Sequence, residues 1–342
     1  MTSSQIIFPA EWALQSAVQL TWPHENTDWC DILDEVIPCF VNIAREVSCR
    51  QKLIIACHDI NEVKLRLGDL PLDNIIFREM ATNDTWARDH GAISVFVDGK
   101  PTILDFTFNG WGMKFAANLD NQITKQLYAS NVFAPDVQYE SRLRFVLEGG
   151  SLESDGVGTL LTTSECLLSE NRNNMTREEV EQYLKENLGL HTIHWLDHGY
   201  LAGDDTDSHV DTLARLCSES VIAYVKCDDF ADEHYPALKK MEEELFQLRQ
   251  TNGEPYELIA LPMADAVYCE EERIPATYAN FLIINGAVLL PTYDSPKDAV
   301  AISQLQKAFP NREIVGINCM SLIKQHGSLH CVTMQYPAGF VQ

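Results

Sequence analysis

The chain has 342 residues, 46% of them hydrophobic and 22% charged, which is enough to bury the core of one large domain or two ordinary ones. Its 25 Lys and Arg stand against 50 Asp and Glu, a formal net charge of -25. A field of that sign argues against nucleic acid and anionic membrane surfaces as partners and favours small cations, although acidity also serves solubility alone.

Residues 17–23 alternate like a half-buried strand that Pro23 stops. Across 30–50, Ile32, Leu33, Val36, Ile37, Phe40, Ile43, Ala44 and Val47 recur at helical spacing. Residues 52–57 read as a buried strand, 61–67 as a short helix and 74–78 as another strand. Residues 92–97 and 101–106 form a predicted hairpin around Asp98-Gly99-Lys100. Strands at 145–147, 151–154 and 159–163 then precede a helix at 177–188. Strands at 192–196, 210–216 and 221–225 precede a charged helix at 235–251, whose Leu238, Met241, Leu245 and Leu248 face the core. Strands at 258–262, 278–284 and 287–293, a helix at 299–309, and strands at 313–317 and 329–335 complete the chain.

Polar turns that feed directly into apolar strands fall near residues 86, 150, 208, 278 and 330. A spacing of roughly 50–70 residues, with strands and one helix per unit, suggests α/β units repeated radially around an axis. A doubly wound parallel sheet is the competitor, but hairpins inside each unit fit it poorly. No Pro/Gly/Ser-rich linker divides the chain, so one domain over 1–342 is expected. The first residues, Met1-Thr2-Ser3-Ser4-Gln5, carry neither a basic region nor a long apolar segment, and no apolar run is long enough to span a bilayer. Ten cysteines occur without any CxxC pair, most of them in apolar surroundings (Cys39, Cys49, Cys57, Cys166, Cys217, Cys227). That usage points to reduced thiols and a cytoplasmic setting rather than to a disulfide framework or a zinc site.

Four stretches carry chemistry. In His326-Gly327-Ser328-Leu329-His330-Cys331 a polar turn delivers a thiol to the start of an apolar strand, with His326 and His330 as titratable neighbours. Cys331 reads either as a packed small hydrophobe or as a nucleophile. In His209-Val210-Asp211 a strand would place imidazole and carboxylate on one side, where the acid raises the His209 pKa for acid–base work. The rival reading, a divalent cation held by His209 with Asp204, Asp205, Asp207 and Asp211, lacks a second His at ligand spacing, and no metal is expected. Trp86-Ala87-Arg88-Asp89, if extended, puts Trp86 and Arg88 on one side and Asp89 on the other; the alternative is a helix capped by Asn83 or Asp84. Glu148 precedes Gly149 and Gly150, which would either end a strand or admit a ligand. Together, one thiol, one imidazole and three carboxylates (Asp89, Glu148, Asp211) without basic partners describe a site for a guanidinium cation, whose planar N–H fork two carboxylates match.

These motifs, with Trp22-Pro23, Asn83–Asp89, Phe108-Asn109-Gly110-Trp111-Gly112-Met113-Lys114, Leu147–Gly150, Gly203–Asp211 and Gly327–Thr333, resemble the agmatine deiminase family, also called the bacterial peptidylarginine deiminase family. The resemblance runs from about residue 8 to residue 337. It implies a pentein fold, five pseudo-symmetric β/α blades around a central channel, and the cofactor-free conversion of agmatine and water to N-carbamoylputrescine and ammonia. By motif position, Cys331 would be the nucleophile and His209 the general acid and base. Asp89 and Asp211 would clamp the guanidinium, Glu148 would sit with His209, and Trp86 and Trp111 would bind substrate. A homo-oligomer is the family-level expectation. Arginine or peptidylarginine as substrate, and a cation-binding module without turnover, are the alternatives. Two departures from the family pattern stand out: His326-Gly327-Ser328 in place of a Gly-rich approach to the cysteine, and Met113 in place of the second Gly of Trp-Gly-Gly-Lys, which bears on the distal end of the pocket.

Overall fold

A computed structural model describes residues 5–342. Five sheets of three or four strands share one connectivity, and a two-stranded hairpin stands apart from them. In each sheet an inner strand runs antiparallel to a middle strand, and a helical connection leads to an outer strand parallel to the middle one. The first unit pairs Ile93–Val97 with Lys100–Thr107 and then Gln138–Val146, with Ile6–Ile7 added at its edge. The second contains Glu153–Ser154, Thr159–Thr163 and Thr192–Leu196. The third holds Ala214–Ser218, Val221–Lys226 and Glu257–Pro262, and the fourth Leu282–Ile284, Ala287–Thr292 and Glu313–Asn318. In the fifth, the C-terminal Thr333–Pro337 lies antiparallel to Gln15–Thr21, which continues in parallel to Lys52–Cys57 and Ile75–Glu79. The last unit is therefore built from both ends of the chain.

The helices form where apolar spacing and caps agree. Leu33–Ser48 buries Val36, Ile37, Phe40, Ile43, Ala44 and Val47 on one face. Arg177–Leu188 opens with a reciprocal capping box between Thr176 and Glu179 and closes on Gly189 at φ 69. The charged helix Tyr235–Gln247 ends four residues earlier than the periodicity suggests. Leu238, Met241 and Leu245 face the core, while Leu248 turns to ψ 148 and leaves the helix. Ile123–Ala129 and the hairpin Val267–Cys269/Glu272–Ile274 have no counterpart in the sequence reading.

Three predicted strands begin late. Residues 210–212 form a 3-10 turn before Ala214–Ser218, residues 278–281 precede Leu282–Ile284, and Leu329–Val332 precede Thr333–Pro337. In each case the chain leaves the ladder at the inner end of the sheet, and the side chains there turn toward the other units. Arg215, fully buried, shows what gathers there. It bonds Glu153, Glu11 and the carbonyls of Ala279 and Phe281, and its guanidinium lies over the Phe281 ring with a 4.6 Å centroid distance. All ten cysteines are free, and Cys49 is exposed rather than apolar-packed. Among the described residues no helix is long and apolar enough to cross a membrane.

Candidate active site

Residues Ala87–His90 form one helical turn with Trp86 at its N-cap, so the extended alternation expected for this stretch does not occur. Neither Asn83 nor Asp84 caps it. The Asn83 side chain accepts from Leu119 and Asp120, and Asp84 accepts the indole N–H of Trp29 at 2.7 Å. Helical spacing puts Trp86 and Asp89 on one face and sends Arg88 inward. Asp89 is held by two donors, the Trp111 indole N–H at 2.9 Å and the Gly150 backbone N–H at 3.2 Å. Burial pushes its carboxyl up to about 6, against the pull of His209 and with the push of Asp211 and Glu148.

His209 is not on a strand but at the entry to the 3-10 turn, so its expected pairing with Asp211 fails. The turn splays the two side chains apart. His209 Nδ1 faces Asp89 Oδ1 at 3.6 Å, and Nε2 faces Glu148 Oε2 at 3.3 Å. Burial would lower the imidazole pKa, but Asp89, Cys166 and Glu148 raise it well above its ordinary value, so His209 is an imidazolium. The acids its ring nitrogens face are therefore Asp89 and Glu148, while Asp211 interacts with it only through charge. The glycines beside Glu148 admit these side chains rather than a ligand. A Cβ on Gly150 would lie 2.4 Å from His209 Nδ1, and one on Gly149 would lie 2.3 Å from the Arg88 carbonyl.

Glu148 does have a basic partner, which corrects the reading of three carboxylates without one. Arg172 Nε reaches its two oxygens at 3.0 and 3.2 Å, and the same guanidinium bonds Asp207 at 2.6 Å and the Thr206 carbonyl at 3.1 Å. Against burial, His209 and Arg172 hold Glu148 below its usual range. The acids of the 204–211 stretch are each engaged elsewhere. Asp204 accepts from Thr206 and Ser208, Asp205 Oδ2 lies 3.8 Å from His326 Nδ1, Asp207 binds Lys114 and Arg172, and Asp211 Oδ2 accepts from His330 Nδ1 at 2.7 Å. They do not converge as a cation site.

Cys331 lies in the turn before the last strand rather than on it. Asn280 Oδ1 organises this turn, accepting from the His330 N–H at 2.9 Å, the Cys331 N–H at 3.3 Å and the Cys331 thiol at 3.3 Å. Burial first, then Asp211 and Asp89, push the thiol well above its ordinary pKa. It is a neutral thiol until something positive arrives between those acids. Two buried polar atoms of this group, Asp211 Oδ1 and His209 Nδ1, have no hydrogen-bond partner.

A cavity of about 150 Å³ opens onto this group. Cys331, Asp89, Trp86, Trp111, Phe115 and Gly327 line it, whereas His209, Glu148 and Asp211 are buried and not part of the lining. Trp86 and Trp111 meet edge to face at 6.1 Å. Gly327 is required by contact, because a Cβ there would sit 2.1 Å from the Trp86 ring. The lining also carries Asp28, Asp84, Asp205 and His326. His326, read as a neighbour of the thiol, sits at this rim and donates to the Gly203 carbonyl at 2.6 Å. Met113 is 79% exposed and outside the lining, so that departure leaves the pocket unchanged. Its φ of 66 is the left-handed conformation for which glycine is the default.

Sequence reasoning missed Asn280, Arg172, Cys166 and Glu11. Asn280 stands at the fourth of the five polar turns, and the regularity of those turns was the signal that could have found it. Arg172 carries no such mark. Cys166 looked like core, yet its thiol is 3.5 Å from Glu148 Oε2.

Known proteins match the chain along nearly its whole length. Residues 7–337 match the family described as Porphyromonas-type peptidyl-arginine deiminase. A crystal structure from Porphyromonas gingivalis, provisionally named an arginine deiminase, is 56% identical with a TM-score of 0.96, covering 99% of this chain and all of its own. An agmatine deiminase variant from C. jejuni with substrate bound is 38% identical with a TM-score of 0.91, covering 98% of this chain and 97% of its own. The agmatine deiminase of Ectopseudomonas mendocina is 32% identical over 96% of this chain and 95% of its own. The five repeated sheets are those of the pentein fold, and the chain belongs to the Porphyromonas-type peptidyl-arginine deiminase family, which takes in the agmatine deiminases it resembles along nearly its whole length.

Proposed function

We propose that the chain hydrolyses the guanidino group of agmatine, releasing ammonia and N-carbamoylputrescine, with Cys331 as nucleophile. The observation that carries this reading is the cavity itself, where the Cys331 thiol and the buried Asp89 carboxylate share a wall, with His209, Asp211 and Glu148 as the charged neighbours of Asp89. The guanidinium N–H fork takes Asp89 and Asp211 as its acceptors, and its charge compensates the acids that hold the thiol neutral. Substrate binding thus lowers the Cys331 pKa, the thiol proton leaves to solvent, and the thiolate attacks the guanidinium carbon. The C–N bond then breaks, with the departing nitrogen taking its proton from His209, and a thiouronium remains on Cys331. His209, now neutral, removes a proton from water. The hydroxyl adds to the same carbon, the C–S bond breaks as that hydroxyl passes its proton to the departing sulfur, and the ureido product leaves. Glu148, fixed by Arg172, keeps His209 oriented and basic enough to take its proton back.

The rim supports agmatine over arginine. Asp28, Asp84 and Asp205 suit the distal ammonium of agmatine, while the α-carboxylate of arginine would meet the same acids. One like charge at about 4 Å costs roughly 4 kcal/mol at an effective dielectric constant of 20. Ammonia release measured with agmatine and free arginine side by side tests the reading. Agmatine is expected to be turned over at least a hundredfold more efficiently, and equal or reversed efficiencies would reject it. The same reading includes a single catalytic domain over residues 1–342, a cytoplasmic setting and a homo-oligomer, the last checked by light scattering.

A further inference from the structure

The residue before the nucleophile faces the other way. His330 is 1% exposed, with Nδ1 2.7 Å from Asp211 Oδ2 and Nε2 2.7 Å from Glu11 Oε2. An ionised carboxylate only accepts, so Nδ1 carries a proton and donates it to Oδ2. The far side of the ring is fixed by a belt of charge. Glu11 binds Arg215 at 3.0 Å, Arg215 binds Glu153, and Arg88 stands 3.8 Å from Glu11. Glu11 also accepts the Ile283 backbone N–H at 2.7 Å, which anchors the belt to the fourth sheet. The backbone of His330 is pinned to Asn280, whose carbonyl and side-chain oxygen both accept its N–H. Ring and main chain are thus held from independent directions, and among the described residues Asp211 Oδ1 is the buried carboxylate oxygen left without a hydrogen-bond partner.

We propose that His330 is a positioning residue for the substrate clamp. By donating from Nδ1 to Oδ2 it fixes the rotation of the Asp211 carboxylate and reserves Oδ1 for one N–H of the guanidinium. This inference rests on the deiminase reading for its substrate, but the orientation of Asp211 does not depend on turnover. The groups that face Asp211 and His330 are Glu11, Glu153, Arg88 and Arg215 on the axial side and His209, Asp89 and Cys331 on the cavity side. Asp211 is held low, against burial, first by the His330 hydrogen bond. Without that donor the buried carboxylate protonates more readily and is free to turn.

The test is binding of methylguanidinium across pH, read from tryptophan fluorescence because Trp86 and Trp111 line the cavity, in a Cys331→Ser background that cannot turn over. His330→Leu is expected to weaken binding at pH 7 at least tenfold and to steepen the acid limb below about pH 6, where only Asp89 protonates in the wild type and Asp211 begins to protonate as well in the variant. His330→Gln, which keeps an N–H donor within reach, is expected to recover most of the affinity. A role confined to stability would leave the affinity of the folded fraction and the slope of the limb unchanged, and that outcome overturns the proposal. Should His330→Leu fail to fold, Glu11→Gln supplies the second variant, with a smaller loss of affinity expected and no loss counting against the proposal. Wild-type protein that binds methylguanidinium in this pattern yet releases no ammonia from agmatine would reject the deiminase reading and leave the positioning role standing.

Discussion

Asp89 is the group for which structure makes opposite demands on stability and activity, and replacing it with Asn separates them. Its carboxyl is pushed from the ordinary 3.8 up to about 6, mainly by burial. That shift of roughly two units costs the folded protein about 3 kcal/mol at neutral pH. The sign follows from proton binding. Between pH 4 and 6 the folded state holds more protons on Asp89 than the unfolded state does, so this contribution to stability falls as pH rises and is constant above about 6. Asn removes the buried charge and keeps an acceptor for Trp111 or for Gly150, but not for both at full strength, which returns about 1 kcal/mol. Asp89→Asn is therefore expected to be about 2 kcal/mol more stable than wild type at pH 8. The advantage shrinks toward zero near pH 4, where the wild-type carboxyl is already protonated. Activity moves the other way. Losing one ionised acceptor for the guanidinium lowers kcat/KM at least about a hundredfold. Urea denaturation at pH 8 and pH 4, paired with ammonia release, measures both effects. A variant less stable than wild type at pH 8, or a stability gain that does not depend on pH, would refute the assignment of Asp89 as a buried, strained carboxylate.

Gly327→Ala forces the Trp86 ring to move by more than an ångström, since the added Cβ would lie 2.1 Å from it. A fall in kcat/KM of about a hundredfold with the fold intact by circular dichroism is expected, and near wild-type kinetics would contradict the packing. Arg172→Met leaves Glu148 buried without its cation and releases Asp207, so a loss of about 3–5 kcal/mol in denaturation experiments is expected. Stability within 1 kcal/mol of wild type would show that Arg172 does not hold Glu148 ionised. Because Asp89 must be ionised to receive a cation, agmatine kcat/KM is expected to fall tenfold per unit as pH drops below about 6. A flat profile between pH 5 and 7 would be incompatible with it.

Local signals made part of this molecule legible in its sequence. The helix Arg177–Leu188 is bounded by a capping box and a left-handed glycine, and the strands Thr159–Thr163 and Thr192–Leu196 are short apolar runs between turn residues. The repeat itself was visible because each unit opens on a polar turn. The period-two reading failed where it mattered most, at His209–Asp211 and around Cys331, since those segments leave the sheet to face the other units. Long-range partners were invisible for a simpler reason. Arg172 meets Glu148 from 24 residues away and Asp207 from 35, and Glu11 meets His330 across 319 residues, separations at which no spacing rule operates. The pairing of Glu148 with an arginine could therefore not be read from a stretch that contains only Leu, Glu and Gly. Cys166 misled for the opposite reason, as an apolar context concealed a thiol that packs on the buried Glu148 carboxylate.

The central claim is that sulfur from Cys331 bonds to the guanidinium carbon. Acid quenching of the protein with agmatine on the millisecond scale, followed by intact-mass and peptide mass spectrometry, tests it most directly. An adduct of agmatine less ammonia is expected on the peptide that carries Cys331, rising and decaying at rates consistent with turnover and absent from Cys331→Ser. Steady ammonia release without any such adduct, with Cys331→Ser as active as wild type, would contradict it.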